Sequence, residues 1–406
     1  MRVLHTSDWH LGRLLYGQKR HHEFAAFLAW LHDTIRDHAI DVLLVAGDIF
    51  DTNTPGNQAQ QLYYQFLARL SQTPCRHIVV IGGNHDSPSF LDAPSTLLKA
   101  LNVHVIGEAC DDPRDEVIAL EANGQLEAVI CAVPYLRERD LRRVADEETA
   151  DDKDRKLIEG IRHHYQRAVD HAAELRGDAE VPIIGMGHLF ITGGQLQEGD
   201  GVRELYVGSL GQVPLQVLPT FDYLALGHLH VPQRVGGSES IRYSGSPVAM
   251  GFGEVHQQKV VLVVEFEGRR GAVNAIPVPV FQRKARVQGD LASLNTQLQA
   301  LVNEQESIWV EVDYKGQASA QELRRDLNER IEDSQVTILR VRNTQRREQA
   351  MQRTMSEATL AELSPAEVFQ RRLELEALDD PQRARMIELH QEVLQTMQEA
   401  DTHADS

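Results

Sequence analysis

Five runs in this chain end on the same kind of punctuation, and that repetition constrains the fold more than any other feature. "MRVLHTS" runs into Asp8-Trp9-His10, "DVLLVAG" into Asp48 and on to Asp51, "RHIVVIGG" into Asn84-His85-Asp86, "VPIIGMG" into His188, and "FDYLALG" into His228-Leu229-His230. The first run alternates and then turns; the others are short and apolar throughout, the pattern of strands buried on both faces. Between several of them lie stretches with apolar residues at helical spacing. His21 to Ala39, with Phe24, Phe27, Leu28, Leu31 and Ile35, is one; Asn57–Leu70, Pro94–Leu101 and Ile158–Leu175 are others. Strand alternating with helix predicts an α/β domain. Sites in open α/β sheets form beyond the carboxyl ends of the strands, so the five clusters are expected to meet on one edge.

The residue types at those ends narrow the chemistry. Carboxylate, amide oxygen and imidazole are ligands for manganese, iron, zinc and similar divalent ions. Asp8 and His10 are one residue apart, as are His228 and His230, so on extended backbone each pair points the same way. Seven such groups exceed the needs of one ion and suit two ions sharing a carboxylate. No cysteine is among them, which argues against a structural zinc site. A pair of ions about 3.5–4 Å apart is a clamp for in-line displacement at phosphorus. Taken singly, Gly187-His188 reads as a turn and Asp48 as a cap after a strand, while Trp9, Phe50 and Met186 read as packing; the ordered set reads as a binuclear centre. Gly82 and Gly83 let the chain turn tightly before Asn84, and Asp86 is either a loop holder or an exposed turn carboxylate.

At 406 residues the chain exceeds one ordinary core. The net charge of -19 argues against unspecific binding of nucleic acid or membrane by the whole surface, though a local basic groove stays open. Cys75, Cys110 and Cys131 have no pair spacing and read as reduced thiols. The N-terminus lacks the apolar stretch of a signal peptide, and no run approaches the roughly 20 apolar residues of a membrane span. A cytoplasmic, nucleoid-associated location without membrane contact is therefore expected. Residues 137–156 are strongly charged and read as a solvated loop and helix start, with Arg137, Arg139, Arg142 and Arg143 as an alternative phosphate-binding edge.

"IRYSGSP" and "KVVLVVEFE" are expected to be strands of a second sheet. The pattern changes near Pro277, after which strand, helix, strand, helix, strand is predicted to Asn343. The expected divisions are residues 1–276, 277–343, a linker at 344–359 and a helical tail at 360–406. Ser364, Pro365 and Glu367 form a capping-box signature at the start of the tail. Met386, Leu389, Val393 and Met397 make an apolar stripe that needs a partner to cover it.

Asp-x-His, Gly-Asp-x-x-Asp, Gly-Asn-His-Asp, Gly-His and Gly-His-x-His, in that order, resemble the calcineurin-like metallophosphoesterase superfamily. Within them "VLHTSDWHLGR", "LLVAGDIFD", "IGGNHDS" and "LGHLHVPQ" are similar to the SbcD nuclease family, a bacterial relative of the double-strand-break repair nucleases. The resemblance implies a four-layer α/β/β/α sandwich, then a small α/β capping domain and a C-terminal helical tail. It implies that Asp8, His10 and His230 hold one ion, that Asn84, His188 and His228 hold the other, and that Asp48 bridges them. His85 would face the scissile phosphate, with Asp51 orienting its ring. The ions would be Mn²⁺, with Mg²⁺ as an alternative. The resemblance further implies double-strand exonuclease and single-strand and hairpin endonuclease activity in DNA end processing, repair and recombination, dependent on ATP through an SbcC-type SMC-like ATPase. The assembly would be a homodimer within a heterotetramer acting on double-stranded DNA ends and hairpins. The dimer contact would lie near residues 58–70 and 93–101, and the tail would dock on the partner's coiled coil through Phe369, Leu373, Met386, Leu389, Val393 and Met397. The competing readings are a phosphatase or small-molecule phosphodiesterase of the same superfamily, a DNA-end-binding scaffold with a silent site, and a DNA-independent adaptor for an ATPase.

Overall fold

The computed structural model describes residues 1–141, 150–192, 212–316, 320–343 and Met386. The chain separates into two compact units. One is Met1–Arg286 with Ser307–Val310; the other is Val287–Glu306 with Glu311–Ser406.

The first unit is built on two six-stranded sheets. In one, the order is Arg270–Pro277, Val260–Glu267, Arg2–Thr6, Val42–Ala46, His77–Ile81 and Val103–Ile106. The last four run parallel, with Val3 opposite Val42, Leu43 opposite Ile78 and Ile78 opposite Val103. In the other, the order is Gln233–Arg234, Ile241–Tyr243, Tyr223–Gly227, Ile183–His188, Gln125–Ala132 and Val117–Ala122. Its central strands are also parallel, and Gly227 lies opposite His188.

Because side chains alternate along a strand, each parallel strand feeds two cores. Val3, Leu44, Ala46, Val79 and Ile81 pack against Ile130, Ala132, Ile184, Met186 and Ala225, which joins the sheets face to face. On the opposite face of the first sheet, Leu4, Leu43 and Val45 pack under Phe24, Phe27 and Leu31 of helix His21–Asp37 and Tyr63 and Phe66 of helix Asn57–Leu70. On the outer face of the second, Val129, Cys131 and Ile183 lie under Ile161, Tyr165 and Ala168 of helix Ala150–Arg176. The result is a four-layer α/β/β/α sandwich, the fold expected from the resemblance.

One sheet assignment differs from the sequence reading. Ile241–Tyr243 joins the second sheet as expected, but Val260–Glu267 pairs antiparallel with Arg2–Thr6 in the first, Leu4 opposite Val263. Val261 and Val263 face the helical layer and Val264 and Phe266 face the other sheet, so a run apolar on both faces fits either sheet. The hairpin of Val117–Ala122 with Gln125–Ala132 and the strand Arg270–Pro277 escaped the reading. Arg270–Pro277 is largely exposed, and its alternation is weak. The stretch read as a helix over Pro94–Leu101 forms Ser95–Lys99, with a separate turn of helix at Pro88–Asp92.

A further three-stranded sheet has the order Arg283–Gly289, Ile308–Tyr314, Val336–Asn343, with helices Leu291–Asn303 and Ala320–Ile331 between them in sequence. In the second unit Leu294, Leu298, Val312, Leu327, Val336 and Ile338 are buried, and the Asp290 carboxylate caps the Leu291–Asn303 helix by accepting from Ser293 N at 2.8 Å. No helix among the described residues is long and apolar enough to cross a membrane.

Candidate metal centre

All five polar clusters lie where the parallel strands of the two sheets end. Asp8 and His10 follow Arg2–Thr6, Asp48 follows Val42–Ala46, Asn84 follows His77–Ile81, His188 ends its strand, and His228 and His230 follow Tyr223–Gly227. The backbone there is unusual. Asp8, His10 and Asp48 have φ of 53°, 46° and 51°, and His228 has 101°. Non-glycine residues held in this region cost energy that the surrounding structure must supply, and such residues cluster at functional sites. Main-chain bonds hold the shape: Asp8 N donates to Gly47 O at 3.0 Å and His10 N to Asp48 O at 3.0 Å. Gly83 has no room for a side chain, because an added Cβ would strike the Asp48 carboxylate and main chain. That close approach is what its bareness serves.

The side chains converge. His10 Nε2 and His230 Nε2 face each other at 3.1 Å. Asn84 Oδ1 lies 3.0 Å from His188 Nε2 and 3.1 Å from His228 Nδ1. Between these groups, Asp48 Oδ2 is 3.5 Å from His188 Nε2 and 3.6 Å from His10 Nε2. The Asp8 carboxylate accepts from His228 N at 3.0 Å and from Ser7 Oγ at 2.5 Å, and Ser7 Oγ meets Ser244 Oγ at 2.9 Å. Asp8, His10 and His230, and separately Asp8, Asp48 and His188, each bring one ligand atom within 4.8 Å of one another. Except for half-buried Asn84, these side chains are buried.

The electrostatics fit a cation. The lone pairs of His10 Nε2 and His230 Nε2, 3.1 Å apart, are reconciled either by one N–H donating to the other or by a cation between them. Burial pushes His10 down to about 4 and His228 down to about 3, so both rings are neutral at neutral pH, the form a metal requires of imidazole. Burial would also lower His188, but Asp48 outweighs it and raises the imidazole to about 9, while the same partner holds the Asp48 carboxyl well below its ordinary range. Burial raises Asp8. His188 Nδ1 donates to Ala46 O at 2.9 Å, which leaves Nε2 aimed inward. This buried oxygen and nitrogen donor set, without sulfur, fits hard or borderline divalent ions.

His85 is buried beside these groups, its ring edge-on to His10 with centroids 4.8 Å apart. Its main-chain N–H donates to Asp48 Oδ1 at 2.9 Å, and its ring Nε2 is 4.0 Å from Asp48 Oδ2. Its Nδ1 meets Asp51 at 3.0 Å, but at the main-chain carbonyl. The Asp51 carboxylate instead stands 3.5 Å from His10 Nδ1 and 3.2 Å from Arg13. Asp86, which sequence left ambiguous, is wholly buried and clamps two loops: its carboxylate accepts from Gly83 N, Ile49 N and Phe50 N at 2.9, 3.1 and 2.9 Å. Of the tail residues, Phe369, Leu373, Leu389, Val393 and Met397 lie outside the described residues, as does the capping box; Met386 is described and exposed.

Comparison with known proteins agrees with this geometry. Residues 1–232 match the calcineurin-like phosphoesterase family, and residues 280–377 match the type 5 capsule protein repressor C-terminal domain. The chain is 38% identical to the SbcD subunit of nuclease SbcCD from Escherichia coli K12, over 98% of each chain. It belongs to the SbcD nuclease family. The SbcD subunits of Bacillus subtilis and Rhodobacter capsulatus are 38% and 36% identical, over 65% and 69% of this chain and 66% and 69% of theirs. As a member of that family the protein is a metal-dependent nuclease, a phosphodiester hydrolase with a divalent metal centre.

Proposed function

We propose that the protein is the nuclease subunit of an SbcC-type ATPase complex and cuts backbone esters at double-stranded DNA ends and in hairpins, with two Mn²⁺ ions at the centre described above. The observation that carries the binuclear reading is the placement of Asp48 Oδ2, almost equidistant from His188 on one side and His10 on the other. Asp8, His10 and His230 would hold one ion, Asn84, His188 and His228 the other, and Asp48 would serve both. A bound ion pair supplies charge neutralisation on the phosphoryl oxygens and a more acidic water.

The chain's own contribution is orientation. His85 Nδ1–H is held by the Asp51 carbonyl, so Nε2 is the atom left to face the scissile phosphate; with the ring as imidazolium, its Nε2–H hydrogen-bonds the phosphate and passes that proton to the departing oxygen, leaving the neutral ring. Asp51 acts on His85 through its main chain and on His10 through its carboxylate. Residues 1–276 form the nuclease domain and residues 277–343 a cap that selects DNA. Residues 344–359 form a linker, and residues 360–406 a tail that docks on the ATPase. The relatives are each named as one subunit of a nuclease, SbcCD, and that shared name supports a second, partner subunit. A cytoplasmic location and a homodimer within a heterotetramer belong to the same reading.

The test is Mn²⁺-dependent cleavage of a labelled DNA hairpin and a linear duplex by native protein and His85→Gln, each with and without the ATPase. Cleavage by native protein, stimulated by ATP through the partner and lost in His85→Gln, is expected. Hydrolysis of bis(p-nitrophenyl) phosphate with neither DNA substrate cut would point to a small-molecule phosphodiesterase. DNA binding with no cleavage under any metal would point to a scaffold.

A further inference from the structure

We propose that Glu254 is a positioning residue for the metal centre: its carboxylate takes the Nδ1 proton of His230 in a hydrogen bond and so holds that ring with Nε2 aimed at the ion. The inference rests on His230 being a ligand. An imidazole that binds metal through one nitrogen carries its proton on the other, and an acceptor behind the ring sets both tautomer and orientation. His230 Nε2 is the inward atom, 3.1 Å from His10 Nε2. Nδ1 is on the far side, and what stands there is Glu254 Oε1 at 3.6 Å.

Glu254 is not a bystander with other work for that oxygen. It is 1% exposed, and Oε1 makes no hydrogen bond of ordinary length among the described residues. The other oxygen is tied down. Oε2 is 2.5 Å from Lys259 Nζ and accepts from Met250 N at 3.0 Å. Lys259 Nζ in turn donates to His230 O at 3.0 Å and to Ser246 Oγ at 3.0 Å. One buried ion pair thus grips both the main chain and the ring side of a single ligand residue. A purely structural Glu254–Lys259 bridge accounts for Oε2 and leaves a buried, idle carboxylate oxygen, which is costly. A Nδ1–H directed at Oε1 accounts for both, after a closure of about half an ångström to ordinary hydrogen-bond length. His188, by contrast, is backed by the neutral Ala46 carbonyl, so removing Glu254 acts on one ion and spares the other.

The test titrates the full chain with Mn²⁺, read by calorimetry and by the electron paramagnetic resonance signature of a coupled ion pair. The variants are Glu254→Gln and the double variant Glu254→Met/Lys259→Met, which removes both buried charges together and so avoids stranding one. Expected is an about 10- to 100-fold weakening of one Mn²⁺ site in the double variant, the second site staying within about two-fold, and recovery of most affinity in Glu254→Gln, whose amide oxygen can still accept. Both sites unchanged in a double variant with native thermal stability in EDTA would overturn the proposal. Native protein that binds no Mn²⁺ would instead sink the ligand assignment on which it rests.

Discussion

Asp48 is the residue that lies against both groups of candidate ligands, its Oδ2 approaching His188 and His10 at 3.5 and 3.6 Å. Asp48→Asn is expected to weaken Mn²⁺ binding by more than about 100-fold, beyond the loss typical of an outer-shell change, and to abolish cleavage; equilibrium dialysis followed by metal analysis reads this. His85→Gln separates differently. It should keep both ions and lower single-turnover cleavage by about 10²- to 10⁴-fold, because only proton transfer and phosphate contact are lost. Loss of metal in His85→Gln would place the ring among the ligands. Which side chains meet was legible in the sequence, because aspartate, asparagine and histidine at strand ends advertise their chemistry. How Asp51 reaches His85 was not, since a main-chain carbonyl carries no residue identity. Nor were the left-handed conformations of Asp8, His10 and Asp48, which only the contacts among distant loops impose.

At the scale of elements, two buried features are the most testable. Arg20, Glu23 and Lys284 form a network with side chains no more than 4% exposed; Glu23 is 2.8 Å from Arg20 Nε and 2.5 Å from Lys284 Nζ. Burial pushes the Glu23 carboxyl up, but the two cations outweigh it and hold it below its ordinary value. Glu23→Ala leaves two buried cations facing each other and is expected to cost about 3–5 kcal/mol in urea unfolding; a cost under about 1 kcal/mol would mean the pair is relieved by solvent. His5 lies inside the sandwich between Tyr223 OH at 2.9 Å and Leu226 O at 3.2 Å, and burial lowers it from 6.5 to about 3. The unfolded chain therefore takes up a proton that the folded one refuses. The contribution is intact above pH 6.5 and is lost as pH falls toward 3. His5→Gln should flatten that part of the stability profile of EDTA-treated protein, and an identical slope in both proteins would contradict it. The strands and helices were largely readable from period and apolarity. The sheet to which Val260–Glu267 belongs was not, because a strand buried on both faces carries no record of its partner.

For the whole molecule, a net charge of -19 makes the isolated chain a poor electrostatic match for DNA. Binding of duplex ends by the chain alone is expected to be weak and to fall steeply between about 50 and 200 mM salt, read by fluorescence anisotropy; salt-independent binding would contradict a phosphate-led contact. Removing residues 360–406 should spare Mn²⁺-dependent cleavage and eliminate stimulation by the ATPase, whereas loss of all activity would make the tail part of the nuclease fold. The most direct measurement is anomalous diffraction from crystals soaked in Mn²⁺. Two peaks about 3.5–4 Å apart are expected, with the Asp48 carboxylate between them. A single peak, or none among Asp8, His10, Asn84, His188, His228 and His230, would contradict a binuclear centre.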